Sequence, residues 1–165
     1  MSQNGQGDLF EGNGMSRDHL YRLSRKPLVK CHTCGGNVKV YRRKLNAGMG
    51  AILCWLTANR DVDQWTHIND VPKHILASRE FGKLVYWSFL EQRPSHDDDK
   101  KASGLWRTTE PGRRFAWRES RTWSHAFIQI PGGELLGWEE TTIDIVDAVE
   151  HKNRFKYGEL MRGEG

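Results

Sequence analysis

Between Leu45 and Trp117 the hydrophobic period changes several times, and the order of those changes limits the folds open to the chain. Leu45, Met49, Ile52, Leu53 and Leu56 recur at helical spacing, so 45–59 predicts a helix with one apolar stripe. Asn46 is its cap and Asn59 its stop. Trp65-Thr66-His67-Ile68 reads as a short extended segment. Asn69 or Asp70 then caps a second helix, with Pro72 in its first turn and Val71, Ile75 and Leu76 on its buried side. Ala77-Ser78 is a turn, and Ser78 caps a third helix over 79–87. In that helix Phe81, Leu84 and Val85 face inward, which leaves Arg79, Gly82, Lys83 and Tyr86 on the other face. A strand at 89–93, a polar loop at 94–104 and a returning strand at 105–109 follow. Glu110-Pro111-Gly112 opens a turn or short helix through Phe115 and Trp117.

Helix, strand, helix, turn, helix, strand, loop, strand is the order of a winged helix-turn-helix. In such a fold the later helix of the pair enters a major groove and the hairpin touches backbone or minor groove. Phe81-Gly82-Lys83-Leu84-Val85-Tyr86-Trp87-Ser88-Phe89-Leu90-Glu91, the Asp-rich loop, and Trp106-Arg107-Thr108-Thr109-Glu110-Pro111-Gly112-Arg113-Arg114-Phe115 carry a resemblance to a known family. They resemble the recognition helix, wing and post-wing turn of MarR-type and PadR-type regulators. Thr-Thr stands where those families have Leu-Thr, which is a departure. The resemblance implies double-stranded DNA as partner and transcription regulation as function. A second resemblance, to phage and prophage proteins, rests on an N-terminal Cys-x-x-Cys, the Val40-Tyr41-Arg42-Arg43 segment and the tail Phe155-Lys156-Tyr157-Gly158-Glu159-Leu160-Met161. It implies an origin in a mobile element rather than an activity.

Charge agrees with a phosphate-facing surface. The net charge is +4, but residues 21–45 hold eight bases and no acid. A basic block beside a near-neutral body is the footprint of nucleic-acid contact; the bland alternative is a solvated basic arm. Lys39, Arg42, Arg43 and Lys44, with Tyr41 among them, suit contacts that position without specifying. Arg79, Lys83 and Tyr86 are the candidate reading face, against the alternative of an ordinary solvated helix face. Lys100 and Lys101 would bring the wing to phosphate. The resemblance to MarR-type domains implies an Asp-rich wing start, so Asp97, Asp98 and Asp99 before them read as loop chemistry; as a cation site they lack the glycine and terminal glutamate of a calcium loop.

Residues 28–43 predict a hairpin whose turn is Cys31-His32-Thr33-Cys34-Gly35-Gly36. Two thiolates on a tight turn form half of a tetrahedral zinc site. Cys54, His67, His125 and His32 are the remaining candidates to close it, and His125 is the expected third ligand beside Cys31 and Cys34. A reduced dithiol with no metal is the competing reading. Cys54 sits beside Leu53 on the predicted helix and reads as a core thiol.

The expected fold class is therefore α+β. A tail over 1–20 is read as disordered, a knuckle hairpin spans 21–44 and a winged helix 45–118. A C-terminal hairpin, short helix and docking tail fill 119–165. In that last segment Thr141 or Thr142 is the expected helix cap. No apolar stretch is long enough to span a membrane, and the first residues carry no secretory pattern, so a cytoplasmic protein is expected. No Ser/His/Asp, His-Glu-x-x-His or phosphate-cradling motif is present, so the chain is not expected to be an enzyme. The alternative to DNA binding is a phage accessory protein that uses the same domain to bind a host protein. The acidic C-terminal third, with Glu134, Glu139, Glu140, Asp144, Asp147 and Glu150, favours that alternative.

Overall fold

A computed structural model describes residues 15–31, 34–76, 79–100 and 102–163. In chain order the elements are α1 (Arg17–Ser24), β1 (Val29–Lys30), β2 (Asn37–Lys44), α2 (Ala47–Asn59) and β3 (Thr66–His67). Two 3-10 segments follow, Ile68–Asp70 and Arg79–Val85, then β4 (Leu90–Gln92), β5 (Leu105–Thr108) and α3 (Glu110–Ala116). The chain ends with β6 (Thr122–Trp123), β7 (His125–Ile130), β8 (Glu134–Trp138), β9 (Thr142–Ile143), α4 (Ile145–Val149), a 3-10 turn at His151–Asn153 and α5 (Tyr157–Met161). The fold is mixed α and β, as the periodicity implies.

The described residues form two compact units, 15–44 with 123–141 and 45–122 with 142–163. These are not the boundaries read from sequence. The C-terminal hairpin does not stand with the residues after it. It completes the N-terminal sheet, because β7 pairs antiparallel with β2 from Lys39↔Ile130 to Lys44↔His125. Among the described residues the sheet order is β1-β2-β7-β8. Successive strand residues point to opposite faces, so Val38 and Val40 of β2 turn together to one side. Leu20 of α1, Val40, Phe127 and Leu136 close a small core there, with Met15, Leu23 and Val29 against it. The helix α1 covers part of the segment expected to be tail. Ser16 caps it by accepting from the His19 N–H, and the fully buried Leu20 anchors it. Residues 1–14 lie outside the described residues.

The second unit is organised by α2. Asn46 caps it as the sequence predicts, accepting from the Met49 N–H. The prediction of one apolar stripe is too narrow, since every residue from Ala47 to Thr57 is buried. A helix apolar all round must be enclosed on all sides, and α3, α4, α5 and the 79–85 segment pack on it. Gly50 lets α4 approach: a Cβ there would stand 2.7 Å from Val149 Cγ1. At the other end of α2, Arg113 donates to the Thr57 and Arg60 carbonyls at 3.1 and 2.9 Å, and to Thr108 Oγ1 at 2.9 Å. One guanidinium thereby satisfies carbonyls the helix end leaves over.

The hairpin at 90–108 forms as expected. Its sheet order is β3-β5-β4, with Thr66↔Trp106 and Glu91↔Arg107 in register. The two helices expected before it do not form as α-helices. Residues 73–76 make a turn, and 79–85 is a 3-10 segment of 7 residues. Three residues per turn put Phe81, Leu84 and Trp87 on one line. Leu84 and Trp87 are buried, and Phe81 meets Trp106 edge-on with ring centroids 5.2 Å apart. Val85, expected to face inward at α-helical spacing, is exposed instead. The expected cap Ser78 lies outside the described residues. Asp144, not Thr141 or Thr142, caps α4, in a reciprocal box with Asp147.

Gly112 gives a decisive test of this packing. A Cβ there would lie 2.4 Å from the Phe89 carbonyl oxygen, a backbone atom that cannot swing aside. Gly→Ala in a helix ordinarily stabilises by about 1 kcal/mol. Here Gly112→Ala is expected to destabilise by about 1–3 kcal/mol through overpacking, measured by urea unfolding.

Candidate nucleic-acid interface

The first unit carries nine Lys and Arg against four Asp and Glu over 15–44 and 123–141. The strand period sorts these cations. Lys39, Tyr41 and Arg43 alternate onto one face of β2. Lys39 Nζ lies 5.5 Å and Arg43 Cζ 4.6 Å from the Tyr41 ring centroid, so two cations attend one aromatic ring. Lys39 is also tied inward. Its ammonium donates to the Ser24 carbonyl at 3.0 Å and the Lys26 carbonyl at 2.5 Å, at the C-terminal end of α1 where the helix dipole favours a cation. Arg42 is held too, with Nε and Nη2 both donating to Glu139 Oε2, at 3.0 and 2.5 Å. Lys44 is exposed, and so are Arg22, Arg25, Lys26 and Lys30, which lie in the same block.

The expected zinc site is not assembled as predicted. Cys31 and Cys34 do sit on one tight turn. The Gly35 N–H donates to the Cys31 carbonyl, the Cys31 N–H to the Gly36 carbonyl, and Gly35 takes a φ of +73°. His125, however, pairs with Lys44 at the far end of β2. The ladder from Lys39 to Lys44 alone spans about 17 Å at ~3.4 Å per residue, well beyond any metal–ligand distance. Cys34 is exposed and Cys31 buried. His32 lies outside the described residues, and among those described no group of three His, Cys, Asp or Glu is placed to share an ion. Cys54 is fully buried in α2, as the core-thiol reading expects, and burial pushes its thiol far up.

His125 instead joins a polar cluster. Its Nδ1 lies 2.9 Å from Glu139 Oε2 and 2.7 Å from Ser124 Oγ. Both partners meet the same ring nitrogen. A relay of the serine-hydrolase kind needs them on opposite nitrogens, so this cluster is an anchor joining β7, Arg42 of β2 and Glu139.

In the second unit Arg79 is exposed and Tyr86 half-buried, both on or beside the 3-10 segment. Lys83 is ion-paired with Glu80 at 2.8 Å, and Glu80 also accepts from Asn46 at 2.8 Å, so Lys83 is tied into the α2 cap rather than presented outward. The loop aspartates do serve the loop. The Asp99 N–H donates to Asp97 Oδ1, and Lys100 pairs with Asp97 at 3.7 Å. Lys101 lies outside the described residues. Lys26 and Lys30 belong to the basic block legible in the sequence, but the groove they line depends on where α1 docks. Among the described residues no helix is long and apolar enough to cross a membrane.

The His125 cluster sets a pH dependence. Burial, and then the Arg42 and Lys44 charges, hold its imidazole below the ordinary value of about 6.5, with Glu139 opposing them. As pH falls through that value the unfolded chain takes up a proton that the folded site resists, so stability drops. The melting temperature of the wild-type chain should therefore fall more between pH 7 and pH 5 than that of His125→Asn. Compared with known proteins, the chain matches no family model, no curated protein and no solved structure.

Proposed function

We propose that this protein binds double-stranded DNA and acts as a transcriptional regulator of mobile-element type. The observation that carries the reading is the set of outward cations of residues 22–44 in the first unit: Arg22, Arg25, Lys26, Lys30 and Lys44 are all exposed. Beside them Lys39 and Arg43 flank the Tyr41 ring. Cations that neutralise phosphate, next to an aromatic face, are the chemistry of nucleic-acid contact. In the second unit a three-stranded β3-β5-β4 sheet carries a long loop between β4 and β5, the arrangement a wing requires. Arg79 and Tyr86 beside that hairpin are the proposed sequence readers. Lys39, Arg42 and Lys83 take a structural part instead, because their charges are already engaged within the fold.

Binding to random duplex should weaken linearly on a log–log salt plot, with a slope of about −3 to −5 for roughly four or five phosphates. Changing Lys26, Lys30 and Lys44 together to Ala should flatten that slope by about 2–3. Arg79→Ala should lower sequence preference and leave the slope nearly unchanged. Absence of binding to duplex at low salt defeats the proposal, and leaves the host-protein reading to be tested by affinity capture.

The knuckle is proposed to hold zinc through Cys31 and Cys34. Two thiolates on one turn suit the metal's preference for sulfur and tetrahedral geometry. Chain purified without chelator should carry about one equivalent of zinc, and Cys34→Ser should lose it. Metal analysis giving only traces ends the zinc reading.

A further inference from the structure

Trp117, at the C-terminal end of α3, is 52% exposed. Indole rings are highly buried on average, so one left this open is an anomaly of the fold. Its neighbours are cationic. Arg114 is exposed and stands three residues back, on the same side of the helix. Arg118, the next residue, is exposed too. Its guanidinium lies 6.0 Å from the Tyr157 ring centroid, and no carboxylate among the described residues pairs with it. Arg114 meets Glu119 at 3.6 Å with both side chains more than half exposed, a contact that water screens and an incoming anion can replace.

Cations at a helix end commonly bond its last carbonyls, but these two have no such task. Other groups close the carbonyls of α3. Arg113 accepts from the Trp117 N–H at 2.9 Å, Arg114 from the Glu119 N–H at 2.8 Å and Phe115 from the Arg118 N–H at 3.1 Å. The Ala116 carbonyl accepts from the Tyr157 hydroxyl at 2.6 Å. Both guanidiniums are thereby left for other partners, and no bare carbonyl stands beside them to repel an anion. The same turn sets Arg118 at a φ of +64°, a position that this kind of helix ending usually gives to glycine.

An open indole beside two guanidiniums suits an unpaired base and the phosphates that flank it. The ring offers a stacking face, and the arginines offer charge to the backbone. A duplex presents no such base, because its bases are stacked on one another. We infer that Trp117, Arg114 and Arg118 form a contact site for single-stranded nucleic acid. The site shares no residue with the basic block of the first unit, and the inference does not rest on duplex binding.

Fluorescence anisotropy of the full chain with labelled dT and rU strands of about twelve nucleotides tests it. At low salt the wild-type chain should bind at least one of them, and Trp117→Ala should weaken that binding about tenfold. Trp117→Phe should keep most of it, since a phenyl ring still stacks. A strand of abasic sites should bind the wild type and Trp117→Ala alike, because it has no base to stack. Arg114→Ala with Arg118→Ala should reduce the salt slope by about 1.4, or roughly 0.7 per phosphate. The loss on Trp117→Ala should persist when Lys26, Lys30 and Lys44 are all Ala, and Trp117→Ala should leave duplex affinity nearly unchanged, so the two sites fail separately. Absence of binding to either strand overturns the inference. So does equal strand affinity of the wild type and Trp117→Ala. A wild-type dimer that Trp117→Ala splits with no change in strand affinity also overturns it, since the ring then lies against a second copy.

Discussion

Six residue pairs, Lys39–Lys44 against His125–Ile130, hold the first unit together. The strand β1 is two residues long and could not stabilise a hairpin with β2 alone, since isolated two-stranded hairpins are marginal in water. With β7 in place, Val40 and Phe127 meet Leu20 and Leu136, and α1 gains a surface to cover. The same ladder fixes which residues meet across it. It places His125 beside Lys44 and within reach of Glu139, and Glu139 within reach of Arg42. It also carries His125 away from the cysteines. The chain leaves this sheet after Lys44 and returns at Trp123, so everything from Leu45 to Thr122 is an insertion between two neighbouring strands.

That insertion has its own organising element. The helix α2 is buried through eleven consecutive residues, and such a helix exists only inside a shell. Each part of the shell leaves a trace in the sequence that is explicable only afterwards. Gly50 admits Val149, Gly112 admits the Phe89 backbone, and Arg113 closes the carbonyl end. Phe115 stacks on Phe89 at 4.9 Å, and the Tyr157 hydroxyl donates to the Ala116 carbonyl at 2.6 Å, which ties α5 to α3. The loop between β4 and β5 hangs from this framework without contributing to its core.

The basic block separates into two populations once the fold is known. Lys39 ends a helix and Arg42 neutralises a carboxylate shared with His125; both stabilise the unit that carries them. Lys26, Lys30 and Lys44 keep their charges at the surface, where long-range attraction to phosphate or carboxylate operates. Eight bases in a row of residues therefore do not make eight contacts. Lys39 and Arg42 lie on opposite faces of β2 and both are engaged, so the partners each cation meets, and not its place in the strand, decide whether its charge stays available.

Local pattern determined what depends on neighbouring residues. The α2 boundaries and Asn46 cap, the β4–β5 hairpin and the loop chemistry of Asp97–Asp99 were all legible, because caps, turns and period-two alternation act over a few residues. The tight Cys31–Gly36 turn was legible for the same reason. Tertiary structure decided the rest. Helical periodicity at 79–87 cannot distinguish an α-helix from a 3-10 segment, and packing of Phe81 on Trp106 with Leu84 buried goes with the tighter winding. No local signal says that β7 pairs with a strand some eighty residues earlier, yet that pairing sets the unit boundaries. It also decides which cations face solvent and where His125 lies. A strand's register is fixed by the partner it buries against, and the partner is not written in the strand.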